Sequence, residues 1–415
     1  MPYRSLKSIH HQYDAARADD AHRARFNSEA AIHWDFPVGD HTLFCVLAPH
    51  VVGLIERVWA RELAVADVWS ALPGAAKGHM IRALLTDEII STNAIEGVHS
   101  TKQEVEAALE PGPASGEGRR FRELARLFLS LSDGPVEPPK TLDGIRALYD
   151  DTLGDEISGD DALDGNRFRA GPVSVIGANQ RELHRGFTPE SAIDDGLRAM
   201  LDAENNPETP MLIRAVISHF MFESVHPFYD GNGRMGRLLL GIHLSNLLSA
   251  PTALRLSRLV AEEKARYYKA FSETEHPLNR GDATHFVATM LELVSETQSE
   301  LHGDLSQRIE ALEHLNSRAP KHGDAAPGCG EGALQALYLL AQVDLFGSPN
   351  GIRLDEVAAY VEKNVRTARK YLQELQDHGL ATTTSERPLR FTLTRKGRAA
   401  AFGDNAPAGM ASENR

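Results

Sequence analysis

The 415-residue chain is 42% hydrophobic with a formal charge of −14, a composition that buries a sizeable core and, at this length, supports more than one domain. So acidic a balance excludes a protein whose whole surface engages nucleic acid, because phosphate neutralisation needs a basic face; a local basic patch stays open. No apolar run is long enough to span a bilayer, and residues 1–7 lack the apolar stretch of a secretory signal, so a cytoplasmic location is expected. Cys45 and Cys329 are too few for a disulfide framework and have no metal-ligand spacing, so two reduced thiols and no structural zinc are expected.

Up to about residue 120 the apolar residues recur at helical spacing, as in Val51, Leu54, Ile55 and Val58 and again in Ile81, Leu84, Leu85 and Ile89. Residues 1–120 are therefore read as a helical N-terminal region. Residues 111–118 read as a loop, residues 133–139 as a second break, and one helix lies between them. β-like runs between 167 and 187, split by residues 177–181, predict a hairpin on an otherwise helical body. A long helix follows over 210–225, then a Pro/Gly turn, a second apolar helix through Leu238 to Leu248, and further helices over 257–316. Residues 317–332, rich in Pro, Gly, Ala and charge, form the linker candidate. Residues 333–402 read as three helices and two short strands, the order of a winged helix-turn-helix, and 403–415 as a disordered tail.

The segment from His226 to Arg237 places an imidazole, a carboxylate, an amide, three glycines and two arginines within twelve residues. Taken singly, a histidine at a helix end is usually structural and Asp-Gly-Asn-Gly is a common turn; the ordered combination is what points to chemistry. Pro227 ends the preceding helix near His226, and Asn232 or Gly233 starts the next, so backbone N–H groups face outward at a positive helix end, a ready anion site. Asp230 suits Mg²⁺, which takes few protein carboxylates and completes its shell with phosphate oxygens and water. Arg234 and Arg237 supply charge-assisted bonds to phosphate, and His226 is placed to accept a proton at neutral pH. Together these parts describe phosphoryl or nucleotidyl transfer.

A second feature lies at Thr92 to Gly97. Glu96 falls in the last turn of a helix beginning near residue 78, facing the negative end of the macrodipole, and so wants a cationic partner. Gly97 is the expected helix stop, and residues 100–103 are the expected capping box of the next helix.

With these residues in hand, the chain resembles the Fic (filamentation induced by cAMP) family, whose signature His-x-Phe-x-(Asp/Glu)-Gly-Asn-Gly-Arg-x-x-Arg is matched at every specified position from His226 to Arg237. The flanks, from Phe222 before it to Leu256 and Tyr267-Tyr268 after it, extend the resemblance over roughly residues 125–300. It implies an all-α fold: a Fic-type helical catalytic core over 121–316 with a β-hairpin flap near 172–187, which aligns a target segment by strand addition. The implied activity is protein adenylyltransfer, from ATP to a Ser, Thr or Tyr hydroxyl of target proteins. His226 is then the general base, Asp230 the Mg²⁺ ligand, Asn232 an α-phosphate contact, and Gly231 and Gly233 the backbone anion hole. Arg234 meets the transferred nucleotide's phosphates and Arg237 the γ-phosphate, while Phe228 anchors the loop in the core.

Thr92-x-x-x-Glu96-Gly97 is similar to the family's inhibitory motif, placed N-terminal to the core as in class II, and implies a Glu96–Arg237 ion pair blocking the γ-phosphate position. The same glutamate orients a water to remove AMP in some relatives. Gly233, where phosphate-transferring relatives carry lysine, favours AMP; Glu275, where relatives often carry an adenine-contacting asparagine, leaves room for another nucleotide donor. A homodimer is expected from the family. The rival reading is a DNA-binding regulator acting through residues 333–402: residues 331–402 hold ten Lys/Arg against eight Asp/Glu, 10 − 8 = +2, against −14 for the whole chain. Arg366, Thr367, Arg369 and Lys370 would face a groove and Arg390, Arg395 and Lys396 sit on the wing.

Overall fold

The computed structural model describes residues 3–110, 121–154, 156–157, 159–176, 182–318, 326–347, 350–386 and 388–403. The loop read at 111–118, the hairpin tip at 177–181, the middle of the linker and all but the first residue of the expected tail lie outside them. The fold is all-α with small antiparallel sheets, and the chain forms two compact units: Met1–Val65 with Leu85–Ser299, and Ala66–Leu84 with Glu300–Arg415. None of the helices among the described residues is long and apolar enough to cross a membrane.

The first unit begins with α1 (Leu6–Gln12) and α2 (Ala15–Phe26), capped by Ser5 and Asp14 whose side chains accept from Ser8 and Arg17 backbone N–H groups. A hairpin absent from the sequence reading follows, β1 (Ala31–Val38) and β2 (His41–Val46). In β1 every second residue is buried at Trp34, Phe36 and Val38, the period-two pattern of a half-buried strand. The outer edge of β2 is closed by Phe44, which donates to the Gly281 carbonyl at 3.0 Å and accepts from Ala283 at 2.8 Å. Gly281 has φ +75°, and a Cβ there would stand 2.6 Å from the Thr42 carbonyl oxygen, so only glycine fits.

Helices α3 (Pro49–Ser70) and α4 (Gly74–Ile95) each contribute to both units. After α4, Gly97 takes φ +72° and stops the helix as expected. The capping box of α5 (Lys102–Ala108) differs by one residue from the expectation: Thr101 and Glu104 make it, because Thr101 holds the extended N-cap conformation and Glu104 reaches back to its N–H. Next come α6 (Arg122–Asp133), α7 (Leu142–Leu153), a 3₁₀ turn at Gly159–Asp161, and the flap strands β3 (Ser174–Ile176) and β4 (Glu182–Arg185).

The centre of this unit is a three-helix layer. Helix α8 (Glu190–Asn205) turns Ile193, Leu197, Met200 and Leu201 onto α9 (Met211–Val225), which packs in turn on α10 (Asn232–Ser245). Almost every residue of α9 and α10 is buried, so the turn joining them is held from all sides except its mouth. Helices α11 (Ala250–Ala253), α12 (Leu256–Glu262), α13 (Lys264–Glu275) and α14 (Thr284–Arg318) follow, with a 3₁₀ turn at Pro277–Asn279.

In the second unit, α15 (Glu331–Phe346), β5 (Ile352–Arg353), α16 (Leu354–Tyr360), α17 (Val365–Asp377), β6 (Ala381–Glu386), β7 (Leu389–Leu393) and α18 (Arg395–Phe402) follow in chain order. The three strands form one antiparallel sheet in the order β5-β7-β6. Ala368, Leu372 and Leu375 put the apolar stripe of α17 inward, and Asn364 caps its start by accepting from Thr367. Gly379, at φ +70°, ends it.

Candidate active site at the mouth of α10

Because Pro227 has no N–H, the last carbonyls of α9 must find other donors, and the way they do so builds the site. His226 caps α9 in a left-handed conformation, φ 54° and ψ 61°. Its Nδ1 faces the Glu223 carbonyl at 3.2 Å, the carbonyl Pro227 cannot serve. A carbonyl only accepts, so Nδ1 carries the proton and the lone pair lies on Nε2. Burial, and then the charge of His184, lowers the pKa of His226 to about 4, so the ring is neutral at pH 7.

The Val225 carbonyl accepts from Phe187 N–H at 3.0 Å. Arg169, fully buried, threads between flap and turn: it donates to His226 O at 2.8 Å, Gly171 O at 2.6 Å, Phe187 O at 2.7 Å and Val225 O at 3.3 Å. Gly186 is needed beside it, since a Cβ would run into Arg169 Nη2 and stand 2.9 Å from the His226 Cβ. The flap base and the turn from His226 to Asn232 are thus one hydrogen-bonded body.

Phe228 is buried and stacks on Tyr149 with ring centroids 3.6 Å apart, while the Tyr149 hydroxyl donates to Asp230 O at 3.0 Å. Asn232, expected at the α-phosphate, bonds within the turn. Its Oδ1 accepts from Phe228 N–H at 2.9 Å and its Nδ2 donates to Phe228 O at 2.7 Å, so the side chain staples the turn. Gly231, at φ +81°, is the N-cap of α10 with no side-chain cap, leaving the first N–H groups of the helix directed into the mouth.

Of the two arginines, Arg234 is buried against Glu156 at 2.8 Å with Asp230 at 3.6 Å. Arg237 is buried too, and pairs with Glu96 Oε1 at 2.8 Å while donating to Thr92 Oγ1 at 2.8 Å and Thr92 O at 3.0 Å. Burial opposes the Arg237 charge, but the Glu96 carboxylate beside it raises its pKa further. Glu96 also lies directly against Gly233, where any Cβ would strike its Oε1. A carboxylate therefore rests on the N-terminus of α10, the place where an anion is best stabilised.

Glu223 was not singled out by sequence. Burial lifts its pKa to about 8, with its Oε1 sealed from solvent and without a hydrogen-bond partner among the described residues. Arg169, Glu156 and His184 were missed as well, because nothing local marks an arginine, a glutamate or a flap histidine as site residues before the chain is folded.

For magnesium, Asp230 is the only carboxylate of the turn; it is 53% exposed and accepts from Gly231 N–H at 2.7 Å. Among the described residues no cluster of three His, Cys, Asp or Glu side chains is arranged to hold a metal. A single exposed carboxylate fits an ion carried in on phosphate oxygens and would not retain a resident one.

Fold and site together define a helical protein with a histidine beside the N-terminus of a buried helix whose N-cap, Gly231, carries no side-chain cap. Residues 139–244 match the Fic/DOC family, and the chain contains a Fic domain. It is 35% identical over 142 residues to the protein adenylyltransferase fic-1 of Caenorhabditis elegans, covering 32% of this chain and 26% of that protein. It is 24% identical over 191 residues to the protein adenylyltransferase Fic of Drosophila virilis, covering 42% of this chain and 36% of that one. The match thus spans about a quarter to a third of the length of these curated relatives. A solved Fic family protein from Desulfovibrio desulfuricans superposes with a TM-score of 0.50 at 18% identity, over 84% of this chain and 97% of that one, a likeness of fold.

Proposed function

We propose that the chain is a protein adenylyltransferase that moves AMP from ATP to a Ser, Thr or Tyr hydroxyl of a target protein. The observation that carries this reading is a neutral His226 whose Nε2 makes no hydrogen bond among the described residues, beside the N-terminus of α10. In the reaction, Nε2 takes the proton of the target hydroxyl as its oxygen attacks the α-phosphorus; the bond to the bridging oxygen breaks and pyrophosphate leaves with its electron pair. The helix mouth at Gly231 and Gly233, with Arg234 and Arg237, offsets the charge gathering on the phosphates, so catalysis is positioning and charge stabilisation. Mg²⁺ bound at Asp230 would supply further neutralisation of the leaving group. Asn232 fixes the turn's shape and, in this reading, meets the α-phosphate. The flap would align the target segment.

In this reading Glu96 is a brake: its pairing with Arg237 occupies the anion position that a terminal phosphate needs. In this reading the same carboxylate would also orient a water for removal of AMP. Incubation of wild type and Glu96→Gly with each labelled nucleotide, followed by mass analysis, tests this. Self-modification by AMP should rise about tenfold or more in the variant, as expected when a buried charge-assisted pair no longer competes. No nucleotide adduct on either protein would refute the enzyme reading; an adduct of another mass would change the donor. A cytoplasmic setting and a homodimer complete the proposal.

A second reading concerns the C-terminal unit, read as a winged helix. Arg366, Arg369 and Lys370 are exposed along the start of α17 and enter no ion pair among the described residues, an arrangement that fits DNA phosphates.

A further inference from the structure

The flap carries a histidine for which the proposed transfer has no role. His184, on β4 opposite Val175, points its Nδ1 at Glu275 Oε1 of α13 at 2.9 Å and its Nε2 at the Ser224 carbonyl at 2.8 Å. A carbonyl and a carboxylate both accept, so the geometry accommodates a proton on each ring nitrogen, the imidazolium form. Ser224 Oγ donates to the same carboxylate oxygen at 3.3 Å, closing a triangle among flap, α9 and α13.

The reason for this cation follows from the turn. In an uninterrupted helix the Ser224 carbonyl would accept from the N–H of Phe228, but that N–H is drawn to Asn232 instead. The C-terminus of α9 is left with an unpaired carbonyl and the negative end of its dipole, and His184 answers both. Its ring centroid lies 6.0 Å from that of His226.

We propose that His184 is a positioning residue for the His226 base: bridging Glu275 and the Ser224 carbonyl, it holds the flap against the catalytic turn and sets a fixed positive charge beside the His226 ring. The inference rests on His226 acting as the base. The surrounding charges are consistent with it. From α13 comes the Glu275 carboxylate and from the flap Arg185; Glu223 of α9, held protonated by burial, and the neutral His226 of the turn add no full charge near pH 7, and the β1–β2 residues that share its groove, Pro37, Val38 and Gly39, carry none. Burial works against the cation, but Glu275 and the Ser224 carbonyl outweigh it and raise the pKa of His184. Burial is the first reason His226 stays unprotonated in mildly acidic conditions; the positive His184 adds to it, Arg169 acts in the same sense, and the Glu223 carbonyl and Glu96 act against it.

The test uses the full chain carrying Glu96→Gly, with His184→Gln and Glu275→Gln added separately, and ¹⁵N-labelled histidine. In the parent, the His184 ring should show two protonated nitrogens at pH 7, and the His226 ring one. With His184→Gln, which can still donate to the Ser224 carbonyl, the His226 titration midpoint and the acid limb of the AMP-transfer profile should both move up by about one pH unit. With Glu275→Gln the His184 ring should lose its second proton near neutral pH. A singly protonated His184 at pH 7 in the parent, or a His226 midpoint unmoved by His184→Gln, overturns the proposal. Absence of AMP transfer in the parent would instead overturn the proposed function, and the nitrogen spectra still decide the matter of the charge.

Discussion

Replacing Arg169 by methionine tests whether the flap and the catalytic turn are one body. Methionine approximates the length of the stem and removes all the donors. The His226, Gly171 and Phe187 carbonyls lose the side-chain bonds of 2.8, 2.6 and 2.7 Å, whereas Val225 keeps Phe187 N–H. A buried carbonyl left unpaired costs about 1–3 kcal/mol. Against this, Arg169 pairs with no carboxylate among the described residues, and burial lowers its pKa, so its removal relieves the desolvation of a guanidinium. The net loss should be about 2–4 kcal/mol, a large share of the 5–15 kcal/mol typical of a domain. Urea unfolding followed by hydrogen exchange measures it: exchange should accelerate first at the amides of 169–173, 186–187 and 226–234. Arg169→Lys should fall close to the methionine variant, since one ammonium cannot serve carbonyls that the planar fork reaches in several directions. AMP transfer in the Glu96→Gly background should fall about a hundredfold, as displacement of the base by about 1 Å predicts. A methionine variant within about 1 kcal/mol of wild type, with unchanged exchange at those amides, would refute the linkage.

Two further outcomes follow from the same geometry. Glu223 is held protonated in the fold, with a pKa raised to about 8 from the ordinary 4.5, so its contribution to stability is full below the ordinary value and is lost as pH rises toward 8. His226, lowered to about 4 from 6.5, contributes in the opposite sense, present above 6.5 and lost as pH falls toward 4. Glu223→Gln should therefore flatten the alkaline decline in thermal stability between about pH 5 and 8, and His226→Ala the acid decline, each read by melting temperature across pH. In the C-terminal unit, duplex DNA should be retained at low salt and released steeply as salt rises. Alanine at Arg366, Arg369 and Lys370 together should reduce the slope of that salt dependence by about 3, and no retention at low salt would remove the DNA reading.

Much of the catalytic turn was legible before folding because its chemistry is local. Pro227 forbids continuation of α9, Gly231 permits φ +81°, and the run from Asn232 restarts a helix, so the positions of His226, Asp230 and the first N–H groups of α10 were fixed by neighbours within a few residues. Gly97 likewise announced the end of α4. The β1–β2 hairpin was missed although Trp34, Phe36 and Val38 alternate and Gly39-Asp40 marks the turn, because helical spacing on both sides dominated the reading. What the chain's order could not decide was which distant groups would meet. Arg169 reaches carbonyls from Gly171 to His226, Glu156 neutralises Arg234 across 78 positions, and Glu275 meets His184 across the flap. Each meeting answers a backbone carbonyl or a charge that burial had left without water, and burial exists only once the helices have packed.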